Sequence, residues 1–243
     1  MKRVIVGLML LLTACSETSL TRRETAEIKR IGVISAIGDE LTIRNFAGRP
    51  AEQTADHGSI AELGLDPYVI AQVAAQLQGR YEIVPVTYQP AVFHQTAEEQ
   101  SLHSTLIQGQ PIGLVIRNQT QLPSGMAAGT GAGVDAYLVI LTGRALLAAS
   151  NQSLFGTSLV RLPTASGDDY NLGVIYWIAV VDGHSLQPIG NVSTLSDHSV
   201  DRSLWAPTVA ALSEAQKQQI AQVWKKRIDL TLEPALKKLG FQQ

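Results

Sequence analysis

The sequence predicts one α/β domain: a mixed β-sheet with an antiparallel meander, helices packed on it and a long C-terminal helix. Three observations predict it. Short apolar runs bounded by turn residues, over 31–37 and 135–142, read as buried strands. Segments 154–162, 172–181 and 186–194 follow one another, with Asp182-Gly183 as a strong turn signal, in the manner of a meander. Ile220, Val223, Trp224, Ile228 and Leu232 recur at helical spacing and make one continuous apolar stripe.

Residues 16–27 are polar and charged without apolar periodicity, which reads as a tether, with a first helical turn over 22–29 as the alternative. The domain is expected to open at Arg30 with the strand 31–37. Gly38-Asp39 makes a tight turn, and Leu41-Thr42-Ile43-Arg44 alternates as a half-buried strand does, so the two read as a hairpin. Residues 47–63 read as loop, with Gly48, Pro50 and Gly58. Asp66 before Pro67 reads as an N-cap, Ile70, Val73, Ala74 and Leu77 as the inner face of the helix that follows, and Gly79 as its end. A strand is expected over 81–88. Glu98 and Glu99 open a second helix with Leu102 and Leu106 inward. Residues 112–118 are helix or strand, helix preferred, and 122–134 are a Gly-, Ala- and Ser-rich loop. Ser213 with Gln216 matches a capping box. Pro234 should kink or restart the last helix, which Leu236 and Leu239 finish before Gly240.

The amino terminus carries the sharpest signal. Lys2-Arg3 is a short positive stretch, residues 4–12 are apolar apart from Gly7, and Thr13-Ala14 brings small residues up to Cys15. That is the layout of a secretory signal peptide. The run is too short to span about 30 Å of hydrocarbon, which takes ~20 helical residues. Leu12-Thr13-Ala14-Cys15 resembles the lipobox of bacterial lipoproteins. The resemblance implies alkylation of the Cys15 thiol by a diacylglyceryl group and cleavage before it. It also implies, with Ser16 rather than Asp next, the default outer-membrane destination of a Gram-negative host. The organisation expected is therefore 1–14 signal peptide, 15–29 lipidated terminus and tether, 30–243 periplasmic domain. Partners follow from this: the membrane, through lipid on Cys15, and an envelope protein or glycan.

Composition narrows the function further. Of 243 residues, 45% are hydrophobic and 16% charged, enough apolar content for a sizeable core. The formal charge of -2 becomes about -4 once Lys2 and Arg3 are removed, which gives no electrostatic case for nucleic acid. One cysteine allows neither an internal disulfide nor a Cys-rich zinc site.

No motif in the chain specifies chemistry. Gly129, Gly131 and Gly133 are misspaced for a dinucleotide loop, a strand follows them, and no Walker lysine is present. Ser124-Gly125 lacks the G-x-S-x-G elbow, and Ser35 sits inside an aliphatic strand. Asp56-His57 lacks the spacer of metallophosphoesterase motifs. His94 and His103 are nine apart rather than the four that puts two ligands on one helical face. His184 falls in a turn and His198 in a polar loop beside Asp197. Asp168-Asp169 lacks the alternating oxygens of a calcium loop. No metal and no cofactor are expected. Trp224 lies on the apolar stripe. Trp205, in a loop after Asp201 and Arg202, is the candidate partner-binding residue, because aromatic side chains dominate binding hot spots; folding of its ring onto the sheet is the alternative.

The stretches Tyr81-Glu82-Ile83-Val84-Pro85-Val86, Val134-Asp135-Ala136-Tyr137-Leu138-Val139-Ile140-Leu141-Thr142-Gly143 and Val180-Val181-Asp182-Gly183-His184-Ser185-Leu186 resemble periplasmic lipoproteins of the curli-secretion and penicillin-binding-protein-activator type, with a TolB-N-terminal-like α/β domain. The resemblance covers roughly 30–195. It implies a non-catalytic envelope binding or assembly module. The alternative is a membrane-tethered hydrolase, which would require a Ser, Asp or His from distant segments to converge, with Asp39, His57 and His103 the residues to watch.

Overall fold

A computed structural model describes residues 17–38, 40–46, 53–88, 133–147, 152–185 and 188–242. The expected signal peptide, Cys15, Ser16, Asp39, Gly48, Pro50, His94, His103, the helix expected from Glu98, segment 112–118, Ser124-Gly125, Gly129 and Gly131 lie outside the described residues.

The fold begins before Arg30. Thr21 caps helix α1 (Arg22–Glu27) with a full capping box, its Oγ1 accepting from the Glu24 N–H while Glu24 accepts from the Thr21 N–H. Leu20 and Ile28 are buried in the main core, and Leu20 N–H donates to the Leu239 carbonyl. The tether expected through residue 29 is therefore part of the domain from Thr18 onward. Its apolar anchors are two isolated residues that no periodicity marks.

Strand β1 (Arg30–Ala36) is buried from Ile31 onward and pairs in parallel with β4 (Glu82–Val84) and β5 (Ala136–Thr142). Strand β2 (Glu40–Asn45) does not fold back on β1 as a hairpin. It pairs with β3 (Thr54–Ser59) and, in parallel, with β8 (Thr157–Thr164). The reason lies at the junction: Asp66 takes the Ile37 N–H at 2.8 Å, and Gly38 abuts Leu65, so the chain leaves β1 against the start of a helix. Strand β3 falls inside the expected loop 47–63. Its sequence, Thr-Ala-Asp-His-Gly-Ser, has no alternating apolar signal because it is an exposed edge.

Helix α2 (Leu65–Leu77) starts from Gly64, which adopts φ 62° as N-cap, so Asp66 is not the cap. Its buried face is Leu65, Val69, Val73 and Leu77, one residue off the expected Ile70 and Ala74. After β5, the ribbon β6 (Arg144–Leu147) and β7 (Gln152–Phe155) leads into β8, then β9 (Gly167–Asp182) and β10 (Pro188–Ser199). Among the described residues the main sheet has eight strands in the order β3-β2-β8-β9-β5-β1-β4, with β10 on β9.

The 16-residue β9 joins the two halves. β10 runs along one edge of it. On its other edge β8 pairs up to Val174 and β5 from Tyr176, end to end. At the seam Ile175 donates to the Gly156 carbonyl and accepts from the Gly143 N–H. A side chain on Gly143 would press on the Tyr176 backbone, so glycine is needed where the ribbon leaves the sheet.

Helix α3 (Glu214–Lys238) is capped by Ser213 with Gln216, as expected, and buries Ile220, Ala221, Trp224, Ile228, Leu232, Ala235 and Leu236. It runs through Pro234 without restarting, because the apolar stripe continues on both sides of the proline. Together α2 and α3, with Leu20 and Ile28 on either side of α1, cover one face of the sheet, over Ile31, Val33, Leu138, Leu172, Tyr176 and Ile178. On the other face Ile34, Tyr137, Val139, Trp177 and Val181 form a second buried apolar cluster. No helix among the described residues is long and apolar enough to cross a membrane.

Candidate functional site

Two surfaces at the β10 side of the molecule stand out. The first is the outer edge of β10. Asn191 exchanges both backbone bonds with Thr18, at 2.9 and 3.1 Å. Val200 N–H points the other way, to Tyr170 O at 2.8 Å. Alternation along an antiparallel strand then aims the N–H and C=O of Ser193, Leu195, Asp197 and Ser199 outward. Among the described residues no backbone group pairs with these four. Their side chains are exposed, Leu195 at 56%.

The second surface is the corner after β10. Asp201 accepts from the Ser203 N–H at 2.8 Å and turns the chain into a short 3-10 segment, Arg202–Leu204. Trp205 follows. Its ring is partly buried against the main core and lies tilted over Tyr170, centroids 5.6 Å apart. Gln216 Nε2 donates to the Ser203 and Trp205 carbonyls at 2.8 and 3.4 Å, tying the corner to the start of α3. The indole thus rests on the sheet and stays partly open to solvent. Trp177 and Trp224 are buried, and each donates its Nε1–H to a backbone carbonyl, of Thr142 and Gly173.

Other singled-out residues are placed as follows. Ser35 is shut from solvent and donates to Asp66 Oδ1 at 2.7 Å, while Tyr88 Oη donates to the Ser35 carbonyl. These bonds brace β1; no signal local in sequence links Ser35 to Asp66. Asp56 and His57 point to opposite faces of β3. Asp56 accepts from the Val209 N–H at 2.7 Å. His57 Nδ1 lies 3.1 Å from Thr42 Oγ1 and 3.1 Å from Glu40 Oε1.

A nucleophile relay needs its hydroxyl and its carboxylate on different ring nitrogens. Here both meet Nδ1, so the trio is not arranged as a base between an acid and a nucleophile. Beside it, Ser158 Oγ and Arg44 Nε are buried without hydrogen-bond partners among the described residues. Burial holds the Arg44 pKa below its ordinary value.

His184 lies in the turn expected for it, its N–H bonded to Asp182. His198 and Asp197 are in β10 rather than a loop. The His198 ring meets Arg227 of α3; partial burial, then Arg227 and Lys226, depress its pKa. Asp168 pairs with Arg161 at 2.6 Å beside a tight turn. Gly133 takes φ 77° and its carbonyl accepts from Arg30. Among the described residues no cluster of three or more His, Cys, Asp or Glu is placed to hold a metal ion.

The chain matches no known protein-family model and no curated protein. Solved structures that it is similar to include protein XCC0632 from Xanthomonas campestris, of the DUF330 family, at 11% identity and TM-score 0.35 over 86% of each chain. Lipoprotein GNA1162 from Neisseria meningitidis is another, at 9% identity and TM-score 0.28 over 82% of this chain and 97% of that one. A third is hypothetical protein CT253 from Chlamydia trachomatis, at 7% identity and TM-score 0.30 over 86% and 98%. Likeness at this level identifies neither a family nor an activity.

Proposed function

We propose that the protein is a lipid-anchored envelope lipoprotein whose domain binds a partner without catalysis. The observation that carries this is the leader, Lys2-Arg3, the apolar run 4–12 and Leu12-Thr13-Ala14-Cys15, set just ahead of Thr18, where the fold begins. The thiol is the side chain a diacylglyceryl donor alkylates, and two or more acyl chains anchor stably where one does not. The destination is the periplasmic face of the outer membrane in a Gram-negative host. The partner is an envelope protein or glycan, met at the corner that carries Trp205.

Labelled palmitate should enter the wild-type protein and not Cys15→Ala. Mass spectrometry should find an amino-terminal peptide that starts at an acylated Cys15. An unmodified, uncleaved amino end on native protein would overturn the anchor. For the partner surface, envelope crosslinking should give a discrete adduct that Trp205→Ala weakens while the fold is kept. An adduct indifferent to that change would remove Trp205 from the surface.

A further inference from the structure

Both faces of the sheet are shut from water, but the described helices lie over one of them. Helices α2 and α3 pack on the larger core. On the reverse face Ile34, Tyr137, Val139, Trp177, Ala179 and Val181 are at most 3% exposed. Among the described residues, the partly buried hydrophobic side chains packed against them are Val84, Val86 and Tyr88, all on the β4 side. An apolar sheet face leaves water only beneath a second layer. Connections 47–52 and 148–151 are too short to supply one.

The topology points to the residues that do. Strands β4 and β5 both run parallel to β1 and flank it, so the chain between them must cross a face of the sheet. Such crossovers are right-handed almost without exception. The chain comes from β1 to β4 through α2, on the helical face. From β4 to β5 it steps back over β1 in the reverse direction, so the same hand carries it across the opposite face.

Both ends of this crossover are rooted there. Val86 lies so close over Gly32 that a side chain on the glycine would strike it, and Tyr88 packs on the same cluster. Val134, just before β5, belongs to the cluster and is 2% exposed. The stretch between, 89–132, far exceeds the roughly one dozen residues that a crossover needs. Its charged side chains are three, Glu98, Glu99 and Arg117, while Phe93, Leu102, Leu106, Ile112 and Ile116 supply apolar surface.

We propose that residues 89–132 are the second layer: they cross the reverse face from Tyr88 to Val134 and bury its apolar cluster. This face is then occupied by the chain itself, and a partner is met on the helical side or at the rims of the sheet. The proposal depends on neither the lipid anchor nor the partner.

Its test uses the chain from Ser16 onward, which keeps every described residue and has no cysteine. The photoreactive residue p-azidophenylalanine is placed at Tyr137 or Trp177, on the reverse face, or at Tyr176, on the helical face. After illumination, peptide mapping should join positions 137 and 177 to peptides from 89–132 as well as to neighbours in the sheet. Position 176 should capture α3 and not 89–132. Adducts of 137 and 177 with the sheet alone, with the β6–β7 ribbon or with a second molecule would overturn the proposal, as would capture of 89–132 at 176. In a second arm a glycine-serine linker long enough for the crossing replaces 89–132. Ala179→Cys, on the reverse face, should then lose its protection from a thiol reagent, while Ala221→Cys, on α3, keeps it. Ala179→Cys still protected after the replacement would overturn the proposal. If both thiols react, circular dichroism will show an unfolded variant, and the photocrosslinks decide.

Discussion

Asp66 is almost wholly out of water, yet its carboxylate takes the Ser35 hydroxyl at 2.7 Å and the Ile37 N–H at 2.8 Å. Asp66→Ala leaves both donors buried and unpaired, so it should cost about 2–4 kcal/mol in urea unfolding. Ser35→Ala, which removes one donor cleanly, should cost about 1 kcal/mol. Asp182 supports a second prediction. Its carboxylate accepts the Ser185 N–H at 2.6 Å, the Ser185 hydroxyl and the His184 N–H, and the Ser185 backbone bond is the main cause of a depressed pKa. A carboxyl more acidic in the folded chain contributes stability above its unfolded pKa and loses it as pH falls through the folded one. The unfolding midpoint should therefore drop as pH is lowered below about 4, and Asp182→Asn should flatten part of that slope in a pH series. Asp182-Gly183 was legible as a turn, but the close approach of Gly183 to the Val134 carbonyl was not, since that contact comes from another strand. Asp66 was misread because Asp-Pro is a local helix-start signal, while its true partners lie 29 and 31 residues away.

Helix α3 shows how far local signals reach. Its capping box and stripe were readable residue by residue, and Ser213→Ala should cost about 1 kcal/mol of stability. Pro234 was expected to kink or restart the helix. Interior proline removes a backbone bond and costs up to ~3 kcal/mol, but Leu232, Ala235, Leu236 and Leu239 are buried around it, and their burial holds the helix together. Pro234→Ala should accordingly raise the thermal midpoint; a lowered midpoint would mean that the core is shaped around the proline. Strand β2 marks the limit. Its alternation was visible, whereas its pairing with β8, more than a hundred residues on, leaves no trace in either segment. The edge of β10 escaped notice for the same reason: an open edge is defined by which strand is missing beside it. Trp205 was singled out because an aromatic in a polar loop is a local anomaly; that its ring lies over Tyr170 was not legible, since that contact comes from β9.

In the whole molecule β9 is shared by both halves of the sheet, and α3 is bonded to it at Gly173 and Tyr176. The halves should not melt separately. Tryptophan fluorescence, dominated by the buried Trp177 and Trp224, and far-UV circular dichroism should give coincident denaturation curves. Deletion of residues 16–29, harmless if they were a tether, should instead lower the midpoint, because Leu20 and Ile28 leave the core.

The bridge between Thr18 and Asn191 also measures a leash. From Cys15 to Thr18 the backbone reaches at most about 11 Å. A protein acylated at that cysteine would sit flush with the lipid headgroups, unable to lean out across the compartment. Whatever it meets must come to the bilayer surface, and lengthening those few residues with a flexible insert should widen the range of neighbours it captures without changing the domain.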